Sequence, residues 1–190
     1  MRPVILVSLL VAGVSAVNAA DPPVSVKLVA KKATYAWPVG QKPAEFEKAL
    51  KETQKAIQQK KEVGVPDALI VDFVLRFTNT GTEATEIFLG GDVNTLALEL
   101  TGPGVVTLAP NVAVTAEFRN PKPVKIEPGK TYDMPIARLS DGFRGASRRL
   151  FFTAPGDYTL AATYQLADAE GKKGIILKSE PAKFTVEAPR

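Results

Sequence analysis

The chain has no cysteine, no histidine, a single tryptophan and two methionines. Histidine is the side chain that titrates near neutrality and serves most often as a general base or metal ligand. Cysteine supplies the most reactive nucleophile and the only side-chain cross-link. Their joint absence excludes Ser–His and Cys–His catalysis, most transition-metal sites and disulfides. What remains for acid/base work is carboxylates, and Asp72, Glu99 and Glu117 all fall on the solvent parity of ordinary strand patterns. Ser25, Ser140, Ser147 and Ser179 have no nucleophile-elbow context. The sequence therefore reads as no enzyme, with no cofactor and no metal.

Long apolar runs are missing too, except at the start. Arg2 precedes an apolar stretch over 4–17, and Val17-Asn18-Ala19 offers small residues at cleavage positions. This is a secretory layout, expected to be cut after Ala19 with Ala20 as the alternative end. The run is shorter than the ~20 residues that span hydrocarbon, so no stable membrane anchor is expected after cleavage. With no cysteine behind it, a lipoprotein anchor is excluded. The expected location is periplasmic or secreted. Residues 20–190 then form one domain, held by its core alone in an oxidising compartment.

Charge of one sign is also scarce. Lys and Arg number 24 against 20 Asp and Glu, and loss of Arg2 leaves 23 against 20, a net +3. So mild an excess, in an exported chain, argues against nucleic acid as a partner.

Period-2 alternation is what the body does have. Leu69, Val71, Phe73, Leu75 and Phe77 share one parity, while Asp72, Arg76 and Thr78 take the other. The same pattern recurs at Leu96, Leu98 and Leu100; at Val114, Ala116 and Phe118; at Tyr158, Leu160, Ala162, Tyr164 and Leu166; and at Ala182, Phe184 and Val186. Further strands are expected over 24–30, 85–89, 131–136, 148–153 and 174–178. Turn signals separate them: Asn79-Thr80-Gly81, Gly90-Gly91-Asp92, Gly102-Pro103-Gly104, Pro128-Gly129, Pro155-Gly156 and Glu170-Gly171. Turns spaced this closely suit a sandwich or barrel.

One helix is expected, over about 43–62. Phe46, Ala49, Leu50, Thr53, Ala56 and Ile57 form one stripe, Pro43 suits its first turn, and Gly64 and Pro66 suit its stop. Glu47 and Lys51 make an i,i+4 pair, and Lys55, Lys60 and Lys61 face out. The narrow stripe describes a surface helix covering an open end or edge of the sheets.

Pro155-Gly156-Asp157-Tyr158-Thr159-Leu160 resembles the entry to the penultimate strand of immunoglobulin-like sandwiches, where a tyrosine turns back to form a tyrosine corner. Together with Asn79-Thr80-Gly81 and Pro128-Gly129-Lys130, the pattern is similar to the bacterial BsuPI-type proteinase-inhibitor domain. The resemblance covers about 68–166 and has no counterpart for the helix. It implies an all-β, Ig-like antiparallel sandwich with one inserted peripheral helix, Tyr158 as its structural corner, and binding to a protein partner. The stretch from Asp141 to Arg148 also resembles uncharacterised exported proteins of planctomycete-type bacteria, which carry no activity across.

Three places could bind. Arg138, Arg144, Arg148 and Arg149 gather around Asp141 and Phe143, and guanidinium forks match carboxylate, phosphate or sulfate. The bland alternative is that Asp141 and nearby carbonyls satisfy the arginines while Phe143 plugs the core. Tyr35 and Trp37 would form a carbohydrate or peptide platform if exposed, and core otherwise. Asp92 and Asn94 supply oxygens, yet too few for calcium, so Gly90-Gly91-Asp92-Val93-Asn94 reads as a tight turn. The expected function is an exported, non-catalytic binding or accessory module that engages a protein or cell-envelope glycan through loops or an edge strand. A proteinase inhibitor and a structural envelope protein are the alternatives.

Overall fold

The computed structural model describes residues 23–37, 40, 42–110, 117–143, 146–168 and 172–188. The apolar segment expected to direct export lies outside them.

In chain order the elements are β1 (Val24–Ala30), β2 (Thr34–Tyr35), α1 (Pro43–Gln58), β3 (Ile70–Asn79), β4 (Thr85–Leu89) and β5 (Thr95–Thr101). There follow β6 (Val105–Leu108), β7 (Lys122–Ile126), β8 (Thr131–Arg138), β9 (Ser140–Phe143) and β10 (Ala146–Phe152). The last three are β11 (Gly156–Ala167), β12 (Lys173–Lys178) and β13 (Ala182–Val186). β1, β3 and β8 form a small antiparallel sheet in which β3 is central. The larger sheet runs β2-β13-β11-β5-β9-β10-β6, with β12 and β4 also pairing β11 and β7 pairing β4. Every pair is antiparallel except β2 with β13.

Alternation in the sequence becomes layering here. Val71, Phe73, Leu75 and Phe77 of β3 are buried, as are Tyr158, Leu160, Ala162, Tyr164 and Leu166 of β11. The two sheets meet through rings: Phe73 lies edge-on to Phe184 at 5.5 Å, and Phe77 edge-on to Tyr164 at 5.4 Å. This geometry lets the positive ring edge meet the negative ring face. One hydrophobic cluster joins both sheets and the helix. The fold is an Ig-like antiparallel β-sandwich with one inserted helix.

β11 is the spine of the larger sheet. One flank pairs β5 from Thr159↔Thr101 to Gln165↔Thr95. The other pairs β13 over its first half and β12 over its second. Between β12 and β13, Ser179 keeps the ladder closed: its amide donates to the Ala162 carbonyl and its Oγ accepts from the Ala162 amide, at 2.9 and 3.0 Å.

α1 buries Phe46 and Leu50, and Phe46 meets Phe151 of β10 at 6.0 Å. Gln54 donates to the Thr107 carbonyl of β6 at 2.8 Å, so the helix covers that sheet edge and satisfies one of its acceptors. It ends at Gln58, short of 62. Lys60 turns left-handed (φ 56), its amide donating to Ile57 O and the Lys61 amide to Ala56 O, which closes the last turn one step before Gly64 is reached.

A second difference concerns Val114, Ala116 and Phe118. Residues 111–116 lie outside the described ones, but Phe118 is 53% exposed and belongs to no strand. The Asp92 amide donates to Arg119 O and the Arg119 amide to the Asp92 carboxylate, so this segment docks onto a turn before Pro121 breaks it. The strand here is β7, further on, with Ile126 inward.

The Tyr158 hydroxyl lies within bonding distance of the Ala154 carbonyl (2.6 Å), four residues upstream, and of the Pro103 carbonyl. Gly102 makes room for that ring: a Cβ there would sit 2.2 Å from Tyr158 Cδ1. Burial raises the phenol pKa, which keeps its proton available to donate. Tyr158→Phe is expected to lower stability by about 0.5–1.5 kcal/mol, the net worth of one such bond, in urea unfolding.

Candidate functional site

The arginine-rich stretch is a β-hairpin, β9–β10, with Arg148 opposite Asp141 and Ser147 opposite Gly142. Pairing with β5 and β6 on either side holds it within the larger sheet. The Asp141 carboxylate is fully buried, while the Arg148 side chain is half exposed. Arg148 Nε donates to Asp141 Oδ1 at 2.9 Å, and its Nη2 donates to Oδ2 and to the Leu98 carbonyl. Oδ2 also accepts from the Leu98 amide. The carboxylate thus stitches β9 to β5 where the two strands share only the pair Leu96↔Gly142. Its hydrogen bond raises the Arg148 pKa further above neutrality.

The neighbouring arginines serve the stretch after the helix. Arg149 Nη1 donates to Val65 O and Pro66 O at 2.9 and 2.5 Å, and Arg138 Nη1 to Ala68 O at 3.3 Å. Three of the four guanidinium groups are therefore turned to the protein's own carboxylate and carbonyls. Arg144 and the Phe143 side chain lie outside the described residues. The described part of this cluster is a clamp between elements.

The aromatic pair is mostly turned inward. Tyr35 is buried, accepts the Asp72 amide on its hydroxyl at 2.9 Å, and contacts Phe73 and Phe184. Trp37 lies against Phe46 and Phe152 at 6.1 and 6.4 Å, under the helix. Tyr35 is thus part of the core, and Trp37 is half-buried against it.

The 90–94 segment is a structural turn. Asn94 Nδ2 donates to Phe88 O and Gly90 O, and its Oδ1 accepts the buried Ala167 amide at 2.6 Å. Arg119 pairs with Asp92 at 2.8 Å. No group of acids able to hold a metal ion occurs among the described residues.

Two surface features were not anticipated. On the outer face of the small sheet, Arg76 grips Asp133 with two bonds of 2.7 and 2.8 Å, and Lys31 stands 3.6 Å away. The Arg76 hydrogen bond, outweighing burial, holds the Asp133 carboxyl below its ordinary value. A depressed carboxyl contributes stability that is present above its unfolded pKa and lost as pH falls through the folded one. Asp133→Asn should therefore cost a few tenths of a kcal/mol at pH 7 in urea unfolding, as surface pairs do. That cost should vanish in strong acid.

The second feature is a shallow groove of about 560 Å³ on the outer face of the larger sheet, lined by Thr101, Asp157, Thr159, Lys183 and Thr185 among others. Asp157 is held by the Thr185 hydroxyl at 2.8 Å, and no second carboxylate lines the groove, so a carboxylate pair for acid/base chemistry is missing there.

Comparison with known proteins adds little to this geometry. No family model matches the sequence, and no curated protein does. Among solved structures, a fragment of native alpha-2-macroglobulin from Escherichia coli, from domain MG7 to the C-terminus, is 13% identical over 88% of this chain and 17% of its own, with TM-score 0.32. This chain therefore spans only a small part of that fragment's length. A FixG-related protein from Vibrio parahaemolyticus is 8% identical over 87% of this chain and 97% of its own, with TM-score 0.29. Neither superposition is close enough to carry an argument.

What distinguishes this surface is how its sheet edges are finished. Edge strands offer unpaired amides and carbonyls to any passing strand, and proteins blunt them with proline, charge or cover. β8 carries Pro135 and β7 carries Pro123, each a missing N–H. β6 lies under α1, and β13 is capped by β2. Two longer edges have neither a proline nor a second strand partner among the described residues: β1, and β12 close beside it. Of these β12 is the more apolar at the surface. Ile176 is 63% exposed, and Ile175 and Leu177 are only half-buried.

Proposed function

We propose that the protein is an exported, non-catalytic binding module that engages a protein partner by adding a strand to its β12 edge. The open aliphatic edge, on a sandwich whose other edges are mostly guarded, carries this reading. Main-chain pairing of this kind supplies affinity from the ladder and specificity from alternate side chains. A glycan is the weaker partner, because Tyr35 is buried and the half-buried Trp37 already packs against Phe46 and Phe152. No histidine or cysteine is present, and no paired carboxylates line the groove, which supports a non-catalytic role. The secretory segment over 1–19 supports a periplasmic or extracellular address, and the resemblance to BsuPI-type inhibitors makes an exported protease one candidate partner.

A photo-crosslinking residue at position 176 should form adducts with a small set of co-exported proteins. The same probe at Glu99, exposed on β5, should not. Equal adducts at both positions, or none at 176, would remove this function.

A further inference from the structure

We propose that the segment taken up by β12 is an acidic, extended stretch of the partner, with apolar residues between its carboxylates. This rests on the reading of β12 as the binding edge and adds the chemistry of what binds there.

One flank of β12 is occupied: Lys178, Leu177 and Ile176 pair Thr163, Tyr164 and Gln165 of β11. The opposite flank has no strand partner among the described residues. A strand laid there would bring one set of side chains beside Ile176 on the outer face. The other set would fall beside Ile175 and Leu177, which lean toward the core. Apolar residues at those positions would remove exposed aliphatic surface from water, which the isolated domain leaves half done.

Charge sets the rest. Residues 172–183 contain Lys172, Lys173, Lys178 and Lys183 against a single Glu180, an excess of +3 in twelve residues. Lys178 and Lys183 are exposed and form no ion pair among the described residues. A carboxylate near the C-terminal end of β12 would meet unlike charge there.

The same arithmetic disfavours a second copy of this chain. Antiparallel self-pairing with all six residues of β12 matched would set Lys173 opposite Lys178 twice, and like charges directly opposite destabilise a ladder. Lysine here leaves the edge open to an acidic strand while repelling its own kind.

The test uses the mature protein and blocked heptapeptides that alternate valine with threonine. One peptide has glutamate at both ends, a second has lysine there, and a third repeats the first with methylated amides. Binding is followed by amide chemical shifts at low and physiological salt. The glutamate peptide should perturb β12 amides and bind at least tenfold better than the lysine peptide, with the gap narrowing as salt screens it. Methylation should abolish binding. Lys178→Glu should weaken the glutamate peptide about tenfold and strengthen the lysine peptide, and Lys183→Glu should act in the same direction. Neither exposed change should move the melting temperature. Equal binding of both charged peptides at β12 would overturn the acidic assignment and leave the edge itself standing. Shifts that avoid β12 with every peptide would overturn both.

Discussion

Arg148→Ala is expected to cost about 3 kcal/mol in urea unfolding at pH 7, among the largest effects of any exposed side chain in the molecule. The size follows from what the change leaves behind. Arg148 itself is half in water, but the Asp141 carboxylate it faces is wholly buried between β9 and β5. Removing one partner of a buried pair strands a charge, which costs roughly 3–5 kcal/mol. The Leu98 amide still donates to that carboxylate, which places the expectation at the lower end. Asp141→Asn should cost less, about 1–2 kcal/mol, because an amide oxygen can still accept from Leu98 and the freed guanidinium can turn to solvent. The double variant should be less destabilised than the sum, since the two share one contact. Additive losses would show that the clamp is not held by charge.

This clamp also marks the limit of what the sequence discloses. Four arginines around Asp141 are plain in the sequence, and both a ligand site and a self-satisfied cluster fit them. Which one holds is decided by distant carbonyls. Arg149 reaches Val65 and Pro66, and Arg138 reaches Ala68, across gaps of 70 to 84 positions. Side-chain chemistry is local and its partners are not. The strands show the same division. β1, β4 and β13 match the expected ranges 24–30, 85–89 and 182–186, because parity is written into a few consecutive residues. β9 and β7 show no such parity, because Gly142 interrupts the one and Pro123 the other. Both exist through neighbours that supply the ladder: β5 and β10 for the one, β4 for the other.

The helix end and the candidate edge follow the same logic. Gly64 and Pro66 are strong stop signals, yet the chain turns earlier by forcing Lys60 into a left-handed conformation. A non-glycine residue there costs enough that sequence rules pass over it. For β12, residues 174–178 were legible as a strand, and the lysines around them as charge. That this strand is an edge, with Ile176 facing water, depends on β12 and β13 sharing one flank of β11. No local pattern encodes that arrangement.

Asn79→Ala should destabilise the domain by about 3–4 kcal/mol, although it removes only a small polar group at a strand end. Asn79 is fully buried where β3 runs out. Its Nδ2 donates to Glu83 O at 2.7 Å and to Ile126 O at 2.8 Å, and its Oδ1 accepts from the Gly81 amide at 2.8 Å. Its backbone adds two bonds: its amide donates to Lys130 O, and its carbonyl accepts from the Gly129 amide. One side chain thus ties the turn after β3 to the end of β7 and so fixes how the two sheets meet. Alanine would leave the Ile126 carbonyl without its donor in a dry place, and each such group costs roughly 1–3 kcal/mol beyond the lost bonds. Asn79→Asp separates geometry from chemistry, because it keeps the shape and turns a donor into an acceptor. Facing two carbonyls, the carboxylate should be at least as costly as alanine at pH 7. Its penalty should fall as pH drops and the acid regains a proton to donate. Thermal melts of the two variants at pH 7 and pH 4 read the difference: the alanine deficit should stay nearly level while the aspartate deficit narrows. An aspartate variant as stable as wild type at pH 7 would mean that the Glu83 and Ile126 carbonyls do not depend on this amide, and that another contact joins the sheets at that end.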